Sequence, residues 1–79
     1  MEVRVLFFGA TADEAGVRST QLSITSQTDV HSALEEIFAK FPKLRSQKLL
    51  YAVNQEYDSS DRKLNDGDEL AIFTAVSGG

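Results

Sequence analysis

Val30, Ala33, Leu34, Ile37, Phe38 and Phe41 follow one another at three- and four-residue steps, the spacing of a single helical face. Thr28 or Asp29 stands where a helix cap belongs. Glu35, Glu36 and Lys40 fall on the opposite side. Pro42 drives Phe41 out of the helical region, which predicts an end near Lys40 or Phe41. One amphipathic helix cannot bury its apolar stripe against itself, so a chain of 79 residues with this segment must supply a sheet for it to lie on.

The rest of the chain supplies one. Val3 to Phe8 is β-branched and aromatic and bounded by Gly9, a strand pattern. Its two-residue period sets Val3, Val5 and Phe7 on one face and Arg4, Leu6 and Phe8 on the other. Ala10 to Ser19, with Gly16 and mixed charges, reads as a loop with at most a helical turn. Thr20 to Thr25 alternates as a half-buried strand. Leu44 to Lys48 is ambiguous, Leu49 to Val53 is a strand, and Asn54-Gln55-Glu56 a turn. Asp58 to Arg62 is a polar loop, and Gly67 supplies positive φ to a tight turn over Leu64–Glu69. Leu70 to Val76 is the last strand. This order fits an α+β chain of the β-grasp (ubiquitin-like) type: one domain over 1–79, a mixed sheet of about five strands with one main helix across it. Its first and last strands would be parallel neighbours joined through the helix.

Charge and residue content narrow the chemistry. A formal net charge of −4 makes nucleic acid and anionic membrane poor partners. No apolar run approaches the ~20 residues of a bilayer span. The opening residues lack the pattern of a secretory signal, and the cytoplasm is the expected location. The chain contains no cysteine, so disulfides, thiolate metal sites and an internal sulfur nucleophile are excluded. His31 is the only histidine and has no second His or Cys to complete a zinc set; it reads as a surface residue, and no metal site is expected. Glu56, Asp58, Asp61, Asp66, Asp68 and Glu69 lack calcium-loop spacing. They form either a solvated face or an acidic patch that steers a basic partner.

Two features point to function. Gly78-Gly79 closes the sequence after Val76-Ser77. Without Cβ atoms such a tail can thread a narrow channel and leave its carboxylate open to attack, although a frayed end has the same composition. Ser77 has no base in reach and serves as a spacer. In the sheet, Leu6 and Phe8 on the first strand and Phe73 on the last would share the face away from the helix. An aromatic patch there marks an interface, unless a loop folds over it.

The segments Val5–Ala10, Asp13–Arg18, Ala52–Tyr57 and Leu64–Gly79 (LNDGDELAIFTAVSGG) together resemble the small, sulfur-carrying subunits of molybdopterin synthase. That family usually has two prolines where this chain has Thr74-Ala75. The sulfur carriers of thiamine thiazole synthesis share the Gly-Gly end, and a ubiquitin-like protein modifier or a bare β-grasp interaction module remain alternatives. The resemblance implies a carrier without an autonomous active site and with no bound cofactor. An adenylating E1-like enzyme would activate the Gly79 carboxylate as a glycyl adenylate, and a sulfur donor enzyme would convert it to 1-thioglycine. The large synthase subunit would then receive the tail, and a cyclic pyranopterin would take the sulfur. In this scheme Gly79 carries the reactive group and Gly78 keeps the tail slim. Val76 and Ser77 set its reach, while Leu6, Phe8 and Phe73 dock the partner.

Overall fold

The computed structural model describes residues 1–46, 48–57 and 62–74. The sequence readings for Asp58, Asp61, Val76, Ser77, Gly78 and Gly79 lie outside them. In order come β1 (Glu2–Phe7), α1 (Ala10–Ala15), β2 (Ser19–Ser23), α2 (Val30–Lys40), a 3-10 turn (Pro42–Ser46), β3 (Leu49–Val53) and β4 (Glu69–Thr74). The sheet order is β2-β1-β4-β3. β1 runs antiparallel to β2 and parallel to β4, and β3 runs antiparallel to β4. This is the β-grasp arrangement.

Alternation along β1 and β4 decides what the helix meets. Val3, Val5, Leu70 and Ile72 are fully buried, and Phe7 nearly so. They pack with Val30, Ala33, Leu34 and Ile37 of α2 in one apolar core. The Phe7 and Phe41 rings meet edge to face with centroids 5.3 Å apart. Leu44 plugs the core from the 3-10 turn, and Leu64 from the segment before β4.

α2 keeps the boundaries its sequence announces. Asp29 caps it, one carboxylate oxygen accepting the Ser32 N–H at 2.8 Å. Phe41, ahead of Pro42, leaves helical geometry at φ −130°, ψ 74°. The hydrogen bond from the Ser32 backbone, with Lys63 and His31 nearby, holds the Asp29 carboxyl below its ordinary range. A lowered folded-state pKa means a contribution complete above the ordinary aspartate value of about 3.9 and lost as pH falls through the lowered one. Urea midpoints measured across that acid range should therefore fall less steeply with pH in Asp29→Asn than in the native chain. Equal slopes would show that the cap does not couple to protonation.

Two sequence expectations need correction. The described residues form four strands, not about five. Asn54 (φ 50°) and Gln55 (φ 68°) both turn left-handed, so the chain doubles back and Glu56 makes only an isolated bridge to Val53. Lys63 likewise makes a single bridge, to Asp29, and α2 begins at the next residue. Ala10–Ala15, expected as loop with at most a helical turn, is a six-residue helix between Gly9 and Gly16, and Gly16 closes it at φ 78° by donating its N–H to Ala12 O. Among the described residues no helix is long and apolar enough to cross a membrane.

Candidate functional site

The parallel register pairs Leu6 with Ala71 and Phe7 with Ile72, and the Phe8 N–H donates to Ile72 O at 3.0 Å. Phe8 and Phe73 therefore stand at neighbouring positions where β1 and β4 end, on the sheet face away from α2. Phe8 is 50% exposed, while Leu6 and Phe73 are half-buried. The three residues singled out for docking do share a face.

Two more apolar side chains extend it. Leu50 pairs with Phe73 across β3 and β4 and is 43% exposed. Tyr57 lies edge-on to Phe73, ring centroids 6.0 Å apart, and is itself 73% exposed. A side chain does fold against Phe73, but it adds an exposed aromatic instead of closing the surface. Leu50 was detectable in the run Leu49-Leu50-Tyr51, which is apolar in both phases. Tyr57 was not: the turn at Asn54-Gln55-Glu56 was legible, but its left-handed geometry, which returns Tyr57 to Phe73, was not.

Thr11 fixes this corner. Its fully buried hydroxyl lies 2.6 Å from Phe8 O and 3.0 Å from Ile72 O, as donor to these carbonyls. Ile72 O also accepts the Phe8 N–H. The exit of β4 is thus held from β1 and from α1. Thr74, the last described residue, pairs with Leu49. The usual family prolines would begin at that position, and here an ordinary strand residue continues the ladder.

The acidic stretch resolves into parts. The Asp66 carboxylate accepts the Glu2 N–H at 2.7 Å, and Asp68 is buried and accepts from Asn54 Nδ2 and Asn65 N–H. Both serve the fold, so the patch suggested by composition is smaller than its count of carboxylates. His31 is exposed. Among the described residues no group of His, Cys, Asp and Glu is arranged to hold a metal ion.

Residues 5–79 match the ThiS family. The chain belongs to that family. It is 36% identical over 81 residues to the molybdopterin synthase sulfur carrier subunit of Escherichia coli, covering 98% of this chain and 99% of that protein. It is 35% identical over 83 residues to the subunit of the same name from Chlamydomonas reinhardtii, with both chains fully covered. Among solved structures, SAMP1 of Haloferax volcanii superposes with a TM-score of 0.90 at 26% identity, covering the whole of both chains. Subunit 1 or 2 in the complex of molybdopterin-converting factor from Helicobacter pylori gives 0.71 at 24% identity, again over both whole chains. The segment matched to the ThiS family includes every residue singled out above for docking or for the tail: Leu6, Phe8, Phe73, Val76, Ser77, Gly78 and Gly79.

Proposed function

We propose that this chain is the sulfur carrier subunit of a molybdopterin synthase, working through the Gly79 carboxylate. The observation that carries the reading is the full-length identity of 35–36% to two molybdopterin synthase sulfur carrier subunits, in a chain with no cysteine. A sulfur carrier without a thiol must use an acyl group.

The chemistry divides between proteins. An adenylating enzyme lets the Gly79 carboxylate attack the α-phosphorus of ATP, forming the glycyl adenylate and releasing pyrophosphate. Sulfane sulfur from a persulfide donor then attacks the acyl carbon and AMP leaves with its oxygen. A second thiol breaks the resulting S–S bond, leaving as part of a disulfide, and the thiocarboxylate remains. Dependence on ATP agrees with a cytoplasmic setting. The large subunit next receives the tail and presents the thiocarboxylate to a cyclic pyranopterin monophosphate. This chain contributes reach, slimness and a docking face: Leu6, Phe8 and Phe73, joined by Leu50 and Tyr57, bury apolar area against the partner. The complex of the two factor subunits from Helicobacter pylori supports such a partner.

Mass spectrometry of the chain co-expressed with the activating enzyme from its own genome tests the reading. The expected result is a C-terminal peptide heavier by the exchange of one oxygen for one sulfur. Lysine-linked conjugates ending in Gly79 would instead make the chain a protein modifier. An unmodified tail, where an authentic carrier in the same cells is thiocarboxylated, would sink both.

A further inference from the structure

A cleft of about 590 Å³ opens beside the docking face, between the outer side of β1 and the connection that carries α1 to β2. Leu6 and Phe8 form its apolar part, and Arg4, Asp13, Arg18 and Ser19 its polar rim. The walls are fixed by backbone, since the Phe7 N–H donates to Arg18 O at 2.8 Å, just beyond the β1–β2 ladder. Arg4 and Arg18 are both exposed, and neither guanidinium makes a hydrogen bond or ion pair within the described residues. Arg4 pairs in register with Glu69 across β1 and β4, yet no ion pair forms between them. Asp13 offsets one positive charge and leaves the rim positive, in a chain whose net charge is −4.

We propose that this cleft is the selectivity element of the docking face, and that it receives an acidic segment of the large subunit. An apolar residue would pack on Leu6 and Phe8 while a neighbouring carboxylate meets Arg4 and Arg18. The inference rests on the carrier reading above. Its grounds are charge complementarity and continuity: the two unpaired guanidiniums border the same Leu6 and Phe8 that begin the apolar face. Arginine is suited to the task because its planar fork binds carboxylate bidentately and is weakly hydrated. A partner without an acidic segment would leave the apolar contact in place and lose the discrimination.

The test is calorimetric binding of the chain to the purified large subunit from the same genome, at low salt and at about 1 M, where the screening length is about 3 Å. Arg4→Gln with Arg18→Gln should weaken binding at low salt by roughly tenfold or more, and the gap to the native chain should close at high salt. Arg4→Lys with Arg18→Lys should retain part of the low-salt affinity. Both side chains are exposed, and an unchanged thermal transition verifies that the variants fold. Phe73→Asp provides the independent arm and should weaken binding at both salt levels. If Phe73→Asp weakens binding and the Gln pair binds like the native chain, the cleft proposal is overturned and the docking face stands. A loss in the Gln pair that persists at high salt also overturns it, because the contact would then not be ionic. Absence of binding by the native chain overturns the docking reading and this inference with it.

Discussion

Deletion of Gly79 is expected to abolish sulfur transfer and leave the thermal transition unchanged. The two halves of that statement come from different parts of the molecule. Every buried apolar residue described lies between Val3 and Ile72, and the sheet's pairing is described only as far as Thr74. The core as described is built from residues that precede the last glycine. In the proposed reaction, the position of the reacting group depends on it. Without Gly79 the chain still ends in a carboxylate, that of Gly78, but it reaches about 3.5 Å less far. Misplacing a reacting atom by 1 Å can cost about a hundredfold, so a loss of at least that size in thiocarboxylate formation follows even if the activating enzyme still binds. Gly79→Ala separates reach from slimness. It restores the length and adds one Cβ, so it should lie between the deletion and the native chain. Single-turnover formation of the thiocarboxylate, followed by mass spectrometry, measures both. Native-like rates in the deletion would mean that the acyl end need not be placed accurately, and the carrier reading would fail.

Much of this architecture could be read from residue order because its determinants are local. Asp29, the Val30–Phe41 stripe and Pro42 fixed the helix within a residue at either end. Leu49–Val53 was read with the bounds it has, and the inward set Val5, Phe7, Leu70 and Ile72 followed from alternation alone. What escaped was decided by contacts distant in sequence. α1 spans six residues, too few for a helical period to show, and it is held by Thr11 reaching Ile72 across 61 positions. Asp66 was read as part of a solvated face or a steering patch, whereas its acceptor role needs Glu2, 64 residues away. Arg4 and Arg18 belong to different strands' surroundings, and only the β1–β2 pairing brings them to one cleft. That Leu6, Phe8 and Phe73 share one sheet face was legible because parallel register can be inferred from alternation. A turn was legible at Asn54-Gln55-Glu56, but the left-handed geometry of Asn54 and Gln55 and the contact of Tyr57 with Phe73 were not.

Asp68→Ala is expected to cause a large loss of stability, although Asp68 belongs to a turn that composition alone would call surface. Asp68 is 8% exposed, and its carboxylate accepts from Asn54 Nδ2 at 3.0 Å and from the Asn65 N–H at 2.8 Å. Asn54 in turn accepts the Glu69 N–H through Oδ1 at 3.0 Å and donates its own N–H to Glu69 O at 2.8 Å. The Asp68 carbonyl accepts the Arg4 N–H at 2.9 Å. One residue thus joins the end of β3, the start of β4 and β1, and so helps set the register of the strand that leads to the tail. Alanine leaves two donors without their acceptor in a partly buried place. At about 1–3 kcal/mol for each buried group left unpaired, two groups would cost about 2–6 kcal/mol, and because water reaches both donors in part the expected loss is about 2–4 kcal/mol. At roughly 0.05–0.15 kcal/mol per residue, that is a large share of the stability available to so small a domain. Asp68→Asn tests the cause: it keeps the shape and one acceptor oxygen but turns an amide donor toward one of the two donors, so its loss should be smaller. Asn54→Ala combined with Asp68→Ala should cost less than the sum of the single changes, since the two share a hydrogen bond. Urea midpoints of the native chain, the three single variants and the double variant decide the matter. An Asp68→Ala midpoint equal to the native one would show that solvent replaces the carboxylate without loss, and that β4 takes its register from the apolar core alone.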